Sequence, residues 1–597
     1  MKDNLQKRFY TDSHGVAMLN KTPELSLPGG VKGRKSRSKM FKNRNLLGIV
    51  VAVLWAACCT NQLFGATGKE TVEPTTRVFQ EGEHKLVVYS DVPGVTPSEF
   101  YRIRVRSDAS KGVWQPVFAH ITRSLYSQAK IQTRGNDEVK EHYQRHLKDW
   151  SHTYGNIEMN GPVEVEISKA DGTPIKTAVT HPIVRAGKAR VENGKAYFTL
   201  DKPAPITVDI DGKMDEQHTG DGYEGPPIHT VSLFAHPIFE KPSPTDPGVV
   251  VVKPGQNPPT DPATYKTLYF SAGVHDIGRN FKVHENRQYY IAGDAVVYGT
   301  FNNLGAESGK NIKIFGVGTI SGDRLKHNLY DPAYLNAAVK PSAEEWKSIC
   351  IKNAENVLVE GVCVANPANH GINLMARPGK SETNKVTFVR WAKVISWRAN
   401  GDGIGSAHVV EDCFLRTADD CSYMKGDRRR CVFWKDVNGA VFHMANISAK
   451  FPIVIEDCDV LYLRDKNAGA VGSGVFVQRG EGLPGNHKVN VLVRNFRIED
   501  KFPTSRVFQM FSKSDSVIGK ASSKDSGEVG SGYSGISFQN ITAAAKSVVG
   551  QPNVLRGCAE APWSQLTFEN VVIGGKKLTS LGDFAHVNEF VTDITFK

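Results

Sequence analysis

At 597 residues, 40% of them hydrophobic and 23% charged, the chain is long enough for two or more domains with sizeable cores, and its composition excludes a disordered or fibrous protein. The net charge of +12 is unevenly placed: residues 1–45 hold eleven Lys/Arg against three Asp/Glu, eight of the twelve charges, leaving four for the other 552 residues. That balance argues against a nucleic-acid partner for the main body of the chain.

Residues 1–39 are basic and patternless and read as a disordered extension. Leu46–Cys59 is an uncharged apolar run of fourteen residues directly behind Lys42 and Arg44. It is shorter than the ~20 residues a membrane span needs. Phe64-Gly65-Ala66 follows as a small-residue cleavage site, so residues 40–66 are expected to be a signal peptide. The mature chain is then secreted or periplasmic, or membrane-anchored where the signal is not cleaved. Cys58 behind Ala56-Ala57 loosely resembles a lipoprotein signal, but Trp55 stands where an aliphatic residue is expected. Seven cysteines follow, Cys350, Cys363, Cys413, Cys421, Cys431, Cys458 and Cys558. An odd number with no CxxC pair argues against a zinc site and a full disulfide framework, and neither metal nor other cofactor is expected. Cys363, Cys413 and Cys458 each close an apolar strand core and read as small buried hydrophobes, although export would permit one or two disulfides.

Residues 67–239 form short alternating runs with turn signals between them, among them His84–Tyr89, Tyr101–Val105, Val163–Ile167, Ala196–Leu200 and Ile206–Ile210. This spacing predicts an antiparallel β-sandwich. Within it Asp137–Trp150, rich in charge, reads as a surface helix or a lid-like excursion. Residues 240–264 carry seven prolines and read as a stiff connector.

From residue 265 one pattern recurs, an apolar-x-apolar strand followed by a polar or Gly turn. The turn residues fall at 316, 361, 390, 412, 435, 457, 495, 540 and 570, with steps of 45, 29, 22, 23, 22, 38, 45 and 30. A base period near 22 with doublings and insertions predicts a stack of β-coils, a right-handed parallel β-helix over residues 265–597. Coils in such a stack are ~4.8 Å apart, so equal offsets from the turn form columns. Asp402 lies 12 after Arg390, Asp420 lies 8 after Asp412 and His443 lies 8 after Lys435. Asp402 and the Asp419-Asp420 pair are therefore expected on adjacent coils, with His443 one coil further on. A paired Asp-Asp is costly to hold unless a field or a shared proton uses it, which marks a candidate acid/base site.

Asn400-Gly401-Asp402 followed by Asp419-Asp420-Cys421 resembles the Asn-Thr-Asp and Asp-Asp motifs of polygalacturonase-like glycoside hydrolases. Closer still is the resemblance to glycoside hydrolase family 49, the dextranases and isopullulanases. It is carried by Leu268–His275, Tyr289–Gly299, Ile314–Gly322, Asp419–Lys425 and Trp434-Lys435-Asp436-Val437-Asn438-Gly439. The resemblance implies a sandwich before a β-helix, and inverting hydrolysis of an internal glucan linkage without cofactor. It implies Asp419 as general acid, with Asp402 and Asp420 activating water. Inverting enzymes hold these carboxyls ~6.5–9.5 Å apart. Gly401 stands where a Thr is usual, and Asp402 lies about two residues closer to the pair than in the family pattern.

Several residues are candidates for contact with a polysaccharide. Lys425 follows the Asp pair within reach of a sugar hydroxyl, and Asn438 belongs to the Trp-Lys-x-x-Asn-Gly run. His443 is either a sugar contact or a packed ladder residue. His370, in the Asn369-His370-Gly371 turn 8 to 10 after Gly361, falls on the same face. Trp346, Trp391, Trp397 and Trp434 are candidate platforms for a pyranose ring, with one or two expected to serve and the rest to be core. Arg428-Arg429-Arg430 reads as a solvated edge that blocks strand addition. A monomer acting on α-glucan is the leading expectation. A hydrolase of uronic-acid polymers is the runner-up, although the Gly-His-Gly and Arg-x-Lys usual there are missing from the expected places. A non-catalytic carbohydrate-binding β-helix is the third reading.

Overall fold

The computed structural model describes residues 75–124, 149–212, 228–328, 331–377, 384–398, 400–465, 471–501, 505–515, 517–518, 528–544 and 553–597. The basic extension, the signal peptide and nearly all of Asp137–Trp150 lie outside the described residues.

Two sheets form the sandwich. One is ordered Thr76–Glu81, His84–Tyr89, Ser151–Met159, His229–His236, Pro205–Ile210 and Ala178–His181, with His120–Arg123 also paired to Ser151–Met159. The other is ordered Gln115–Val117, Tyr101–Arg106, Val163–Lys169, Lys195–Leu200 and Arg190–Glu192. Alternate residues of Tyr101–Arg106 are buried, as a half-solvated strand requires, and Ile103, Val165, Phe198, Ile206 and Leu233 share the core between the sheets. The pairings are antiparallel as expected, with one exception: His229–His236 runs parallel to Ser151–Met159. These two strands are buried along almost their whole length, because the β-helix covers their second face.

The expected β-helix follows as a 25-stranded sheet in which neighbouring coils pair in parallel. One row of rungs runs Thr319–Ser321, Cys363–Ala365, Lys393–Ile395, Phe414–Thr417, Val432–Lys435 and Asp459–Leu463. A second runs Lys313–Gly316, Val357–Glu360, Thr387–Arg390, Val409–Glu411, Asp427–Arg429 and Ile453–Glu456. The corner between the rows is a column of left-handed residues: Gly316, Gly361, Trp391, Asp412, Arg430, Asp457, Asn495, Asn540 and Asn570. Gly and Asn tolerate that backbone, and the asparagines add a side-chain ladder, Asn540 to Asn495 at 3.3 Å and Asn570 to Asn540 at 2.9 Å.

Two sequence expectations need correction. Val249–Val252, inside the supposed connector, pairs with Thr267–Phe270 and is the first rung of the helix. Val432–Lys435 does not precede a corner. It pairs with Phe414–Thr417 after the corner at Arg430, so the coil that begins at Asp412 is short. All seven described cysteines are buried and free, with Cys431 joining Cys413 and Cys458 just past successive corners.

The sandwich docks on the first row of rungs. Trp150, Tyr154 and Phe234 pack against Ile395, Trp397, Phe414, Trp434 and Tyr462. At the centre lies Arg416, fully buried, its guanidinium 5.3, 4.5 and 3.9 Å from the ring centres of Trp150, Trp397 and Trp434. It donates to Asp436 at 2.9 Å, to Thr230 at 2.7 Å and toward His152 at 3.2 Å. Removing one partner of a buried pair strands a charge, so Asp436→Ala should cost about 3–5 kcal/mol in urea unfolding, whereas replacing Arg416 and Asp436 together by apolar residues should cost much less.

A second lock is His181, between Glu499 at 2.8 Å and Asp209 at 3.2 Å. Burial opposes its charge, but the two carboxylates outweigh burial and push the imidazole up to about 10. Since the unfolded value is ~6.5, this contribution is complete below that pH and is lost as pH rises through the folded value. Thermal melts taken from neutral to strongly alkaline pH should therefore fall further for the wild type than for His181→Gln.

Candidate active site

A third row of short strands carries the candidate residues. Ile372 bridges to Ile404 and Ile404 to Ser422, while Ser422 pairs with Phe442 and Phe442 with Phe476. Two residues earlier on each coil stand His370, Asp402, Asp420, Ala440 and Gly474, which therefore form one column. Main-chain bonds fix the register, with Gly371 N–H donating to Asp402 O at 2.8 Å, Gly403 N–H to Asp420 O at 2.9 Å and Cys421 N–H to Ala440 O at 2.7 Å. Asp402 and Asp420 thus hold equivalent places on adjacent coils, ~4.8 Å apart along the stack. Their unequal offsets from the corner are absorbed before Asp402, where Asn400 adopts a left-handed turn (φ 51°).

Each carboxylate has its own surroundings. Asp402 is buried, and its Oδ2 accepts from the Tyr423 hydroxyl at 2.7 Å with His370 Nδ1 3.6 Å away. Burial, then the charges of Asp419 and Asp420, push its carboxyl well above the usual range against the Tyr423 bond. Asp419 is the most exposed of the three at 8%. It accepts from Asn438 Nδ2 at 3.2 and 3.3 Å, from Asn400 N–H at 3.3 Å and from Asp420 N–H at 3.0 Å. Asp420 accepts from Ala440 N–H at 2.6 Å through Oδ1 and from Arg479 Nη2 at 3.3 Å through Oδ2. Gly439 (φ 76°) closes the loop, and a Cβ there would fall 2.4 Å from Asp420 Oδ1 and 2.7 Å from Asp419 Oδ1.

His370, Asp402, Asp419, Asp420 and Asn438 are therefore brought together. His443 is near, but not where expected: Ala440 stacks on Asp420, while His443 pairs with Tyr423, rings 5.0 Å apart edge to face. Its Nδ1 still lies 4.0 Å from Asp420. Lys425 is half-buried with its ammonium 5.4 Å from the Tyr423 ring centre. Burial, with the nearby charges of Lys347 and Arg428, holds it below the ordinary lysine value. Three of the four candidate tryptophans are not platforms. Trp346, Trp397 and Trp434 are fully buried, the last two against the sandwich, where Trp397 Nε1 donates to Thr122 at 3.1 Å and Trp434 Nε1 to Asp436 at 2.6 Å. Trp391 occupies a corner. Arg428 is also buried rather than an edge residue, donating to Ser422 and to the carbonyls of Ala407, Tyr423 and Asp427. Arg429 and Arg430 reach solvent, paired with Glu411, Asp412 and Glu456, but the strand Asp427–Arg429 has a neighbour on each side and is no sheet edge.

Sequence reasoning passed over Tyr423, Arg479 and Glu481. The one signal for the last two is the Gln478-Arg479-Gly480-Glu481-Gly482 turn, which ends a strand in register with Ala440–His443.

Among solved structures the same two-part architecture occurs in Dex49A from Penicillium minioluteum, with a TM-score of 0.63 at 15% identity over 87% of this chain and 100% of that one. The Yersinia enterocolitica family 28 exopolygalacturonase aligns at a TM-score of 0.32 and 12% identity, over 87% of this chain and 98% of its own. The polygalacturonase from Erwinia carotovora ssp. carotovora aligns at 0.31 and 14%, over 60% and 97%. No family profile and no curated protein sequence matches the chain. The likeness to Dex49A establishes the fold, an all-β chain of sandwich and parallel β-helix.

Because Trp434 is wholly inside the junction, Trp434→Ala should lower unfolding free energy by about 3–5 kcal/mol, measured by denaturation. A platform would instead lose ligand affinity with stability unchanged.

Proposed function

We propose that the chain is a polysaccharide hydrolase that cleaves an α-glucan with inversion, Asp419 serving as general acid and Asp402 and Asp420 activating water. The observation that carries this reading is the shared register of Asp402 and Asp420, with Asp419 beside them. Three carboxylates crowded into one largely buried place repel one another, and the chain spends Tyr423, Asn438 and Arg479 on holding them there. Acid/base chemistry gives that arrangement a use. The fold shared with Dex49A supports the same reading.

In the proposed reaction Asp419 gives its proton to the glycosidic oxygen as the bond to the anomeric carbon breaks. A water attacks that carbon from the opposite ring face and loses its proton to the Asp402–Asp420 pair. Return of that proton to Asp419 after product leaves restores the site. His370, His443, Asn438 and Lys425 are the proposed donors to sugar hydroxyls. The substrate lies outside the cytoplasm if residues 40–66 act as a signal, and among the described residues no helix is long and apolar enough to cross a membrane. We read the chain as a monomer acting without cofactor.

Asp419→Asn should lower kcat by about 10²–10⁴-fold with circular dichroism unchanged. Gly439→Ala, which forces both carboxylates of the pair aside, should cost about 10²-fold. On dextran and pullulan, with pectate as the uronate control, NMR should show the β-anomer formed first from an α-glucan. Near-wild-type turnover by Asp419→Asn would refute the assignment.

A further inference from the structure

Asp402 and Asp420 are both placed to take a proton from water, yet only one of them has a guanidinium seated on it. Arg479 ends the strand Gly474–Arg479, on the coil after Ala440–His443. Its side chain is 14% exposed and makes three bonds at once. Nη2 donates to Asp420 Oδ2 at 3.3 Å, Nε to Glu481 Oε1 at 3.1 Å and Nη1 to Gly472 O at 3.2 Å. Glu481 faces His443 Nε2 through its other oxygen at 3.0 Å. Burial works against charge on both Arg479 and Glu481. Asp420 and Glu481 nonetheless hold the guanidinium above its ordinary value, and His443 and Arg479 hold Glu481 below the usual carboxylate range.

The surroundings of Asp402 differ. Its close partners are a neutral phenol, Tyr423, and an imidazole 3.6 Å away, with the Lys347 charge further out. The charged or titratable groups facing Asp420 are Asp402 from the coil before, Asp419, Cys421 and Tyr423 from its own coil, His443 from the next coil and Arg479 from the one after. Among the described residues Arg479 is the one fixed cation facing Asp420.

We infer that Asp420, rather than Asp402, takes the proton from water, and that Arg479 is its positioning residue, held in place by Glu481. The inference rests on the hydrolase reading above. A planar fork tied to a carboxylate on each side and a carbonyl below cannot turn to a sugar without breaking those bonds, so it acts on Asp420 and not on the substrate. Ala440 N–H and Arg479 take one oxygen each, which fixes the plane of the Asp420 carboxylate.

The test is the pH profile of kcat/KM on a hydrolysed glucan for the wild type, Arg479→Ala, Arg479→Lys and Tyr423→Phe, with a melting curve for each. Arg479→Ala should move the acidic limb up by about one pH unit, because an adjacent cation lowers a carboxylate's pKa by ~1–3 units, and should lower kcat more than it raises KM. Arg479→Lys should bring the limb back toward the wild-type position. Tyr423→Phe should slow turnover and leave the limb in place. A limb that moves in Tyr423→Phe and stays in Arg479→Ala makes Asp402 the base and overturns the inference, as does a limb that moves in neither. If Arg479→Ala does not fold, Arg479→Gln carries the same comparison. A wild type inactive on every glycan offered is a separate result, and it removes the hydrolase reading together with this one.

Discussion

The structure depends on a charge held wholly out of contact with solvent. Arg416 lies in the seam between sandwich and β-helix, walled by three indoles and matched by Asp436. Such a pair contributes little net stability, but it tolerates no misfit, because a displaced partner leaves an ion in an apolar slot. Arg416 belongs to the strand Phe414–Thr417, and the chain runs from that strand straight into Asp419-Asp420. Asp436 N–H closes on Thr417 O at 2.8 Å and Asn438 N–H on Ala418 O at 3.0 Å. The segment bearing the paired aspartates is therefore held from outside by the sandwich and from the next coil by the Trp434–Gly439 run. The sandwich is thus part of the scaffold of the site, although among the described residues it contributes no side chain to it.

Register along the stack does the rest. Parallel rungs repeat at a fixed spacing, so a residue's place relative to its neighbours is set by counting from the corner. Corners need a left-handed residue, and where Gly, Asn or Asp supplies it the marker is plain. Gly316, Gly361, Asp412, Asp457, Asn495, Asn540 and Asn570 were each legible as corners for that reason. Trp391 and Arg430 were not, because neither residue type favours that backbone, and only the pairing of the flanking strands forces it there. Val432–Lys435 looks the same as a strand on either side of a corner. With no such marker at Arg430, the sequence pattern puts the corner at Lys435 and His443 above Asp420, whereas the structure sets His443 above Tyr423. The strand Val249–Val252 was hidden in the same way, by prolines on both sides of a rung that pairs only once Thr267–Phe270 is laid beside it.

The acidic residues were legible because Asp402 and the Asp419-Asp420 pair are rare features on an otherwise repetitive stack. Their partners were less so. Nothing local separates a tryptophan at a seam from one on a sugar-binding face: Trp397 and Trp434 are aromatic, β-compatible and close to the aspartates in sequence. Their burial becomes clear only when Trp150 and Phe234, some 160 to 280 residues earlier, are brought against them. Arg428 misleads in the opposite direction, since a run of three arginines suggests solvent, yet its side chain turns inward to hold the carbonyls of Tyr423 and Ala407.

The three carboxylates do not share one environment, and that inequality is what makes the site more than an acidic cluster. Asp402 is buried beside two like charges with a hydroxyl as its nearest partner, so its proton is held tightly. Asp419 accepts four hydrogen bonds, two of them from the single amide nitrogen of Asn438. Asp420 is gripped by a main-chain N–H and a guanidinium. A site with equal neighbours would let the group lose or gain protons as a unit. Here burial, amide donors and a fixed cation each act on a different member, so the three carboxyls are not interchangeable. Because the coil spacing sets how close these residues can come, the division of labour follows from the same repeat that builds the fold.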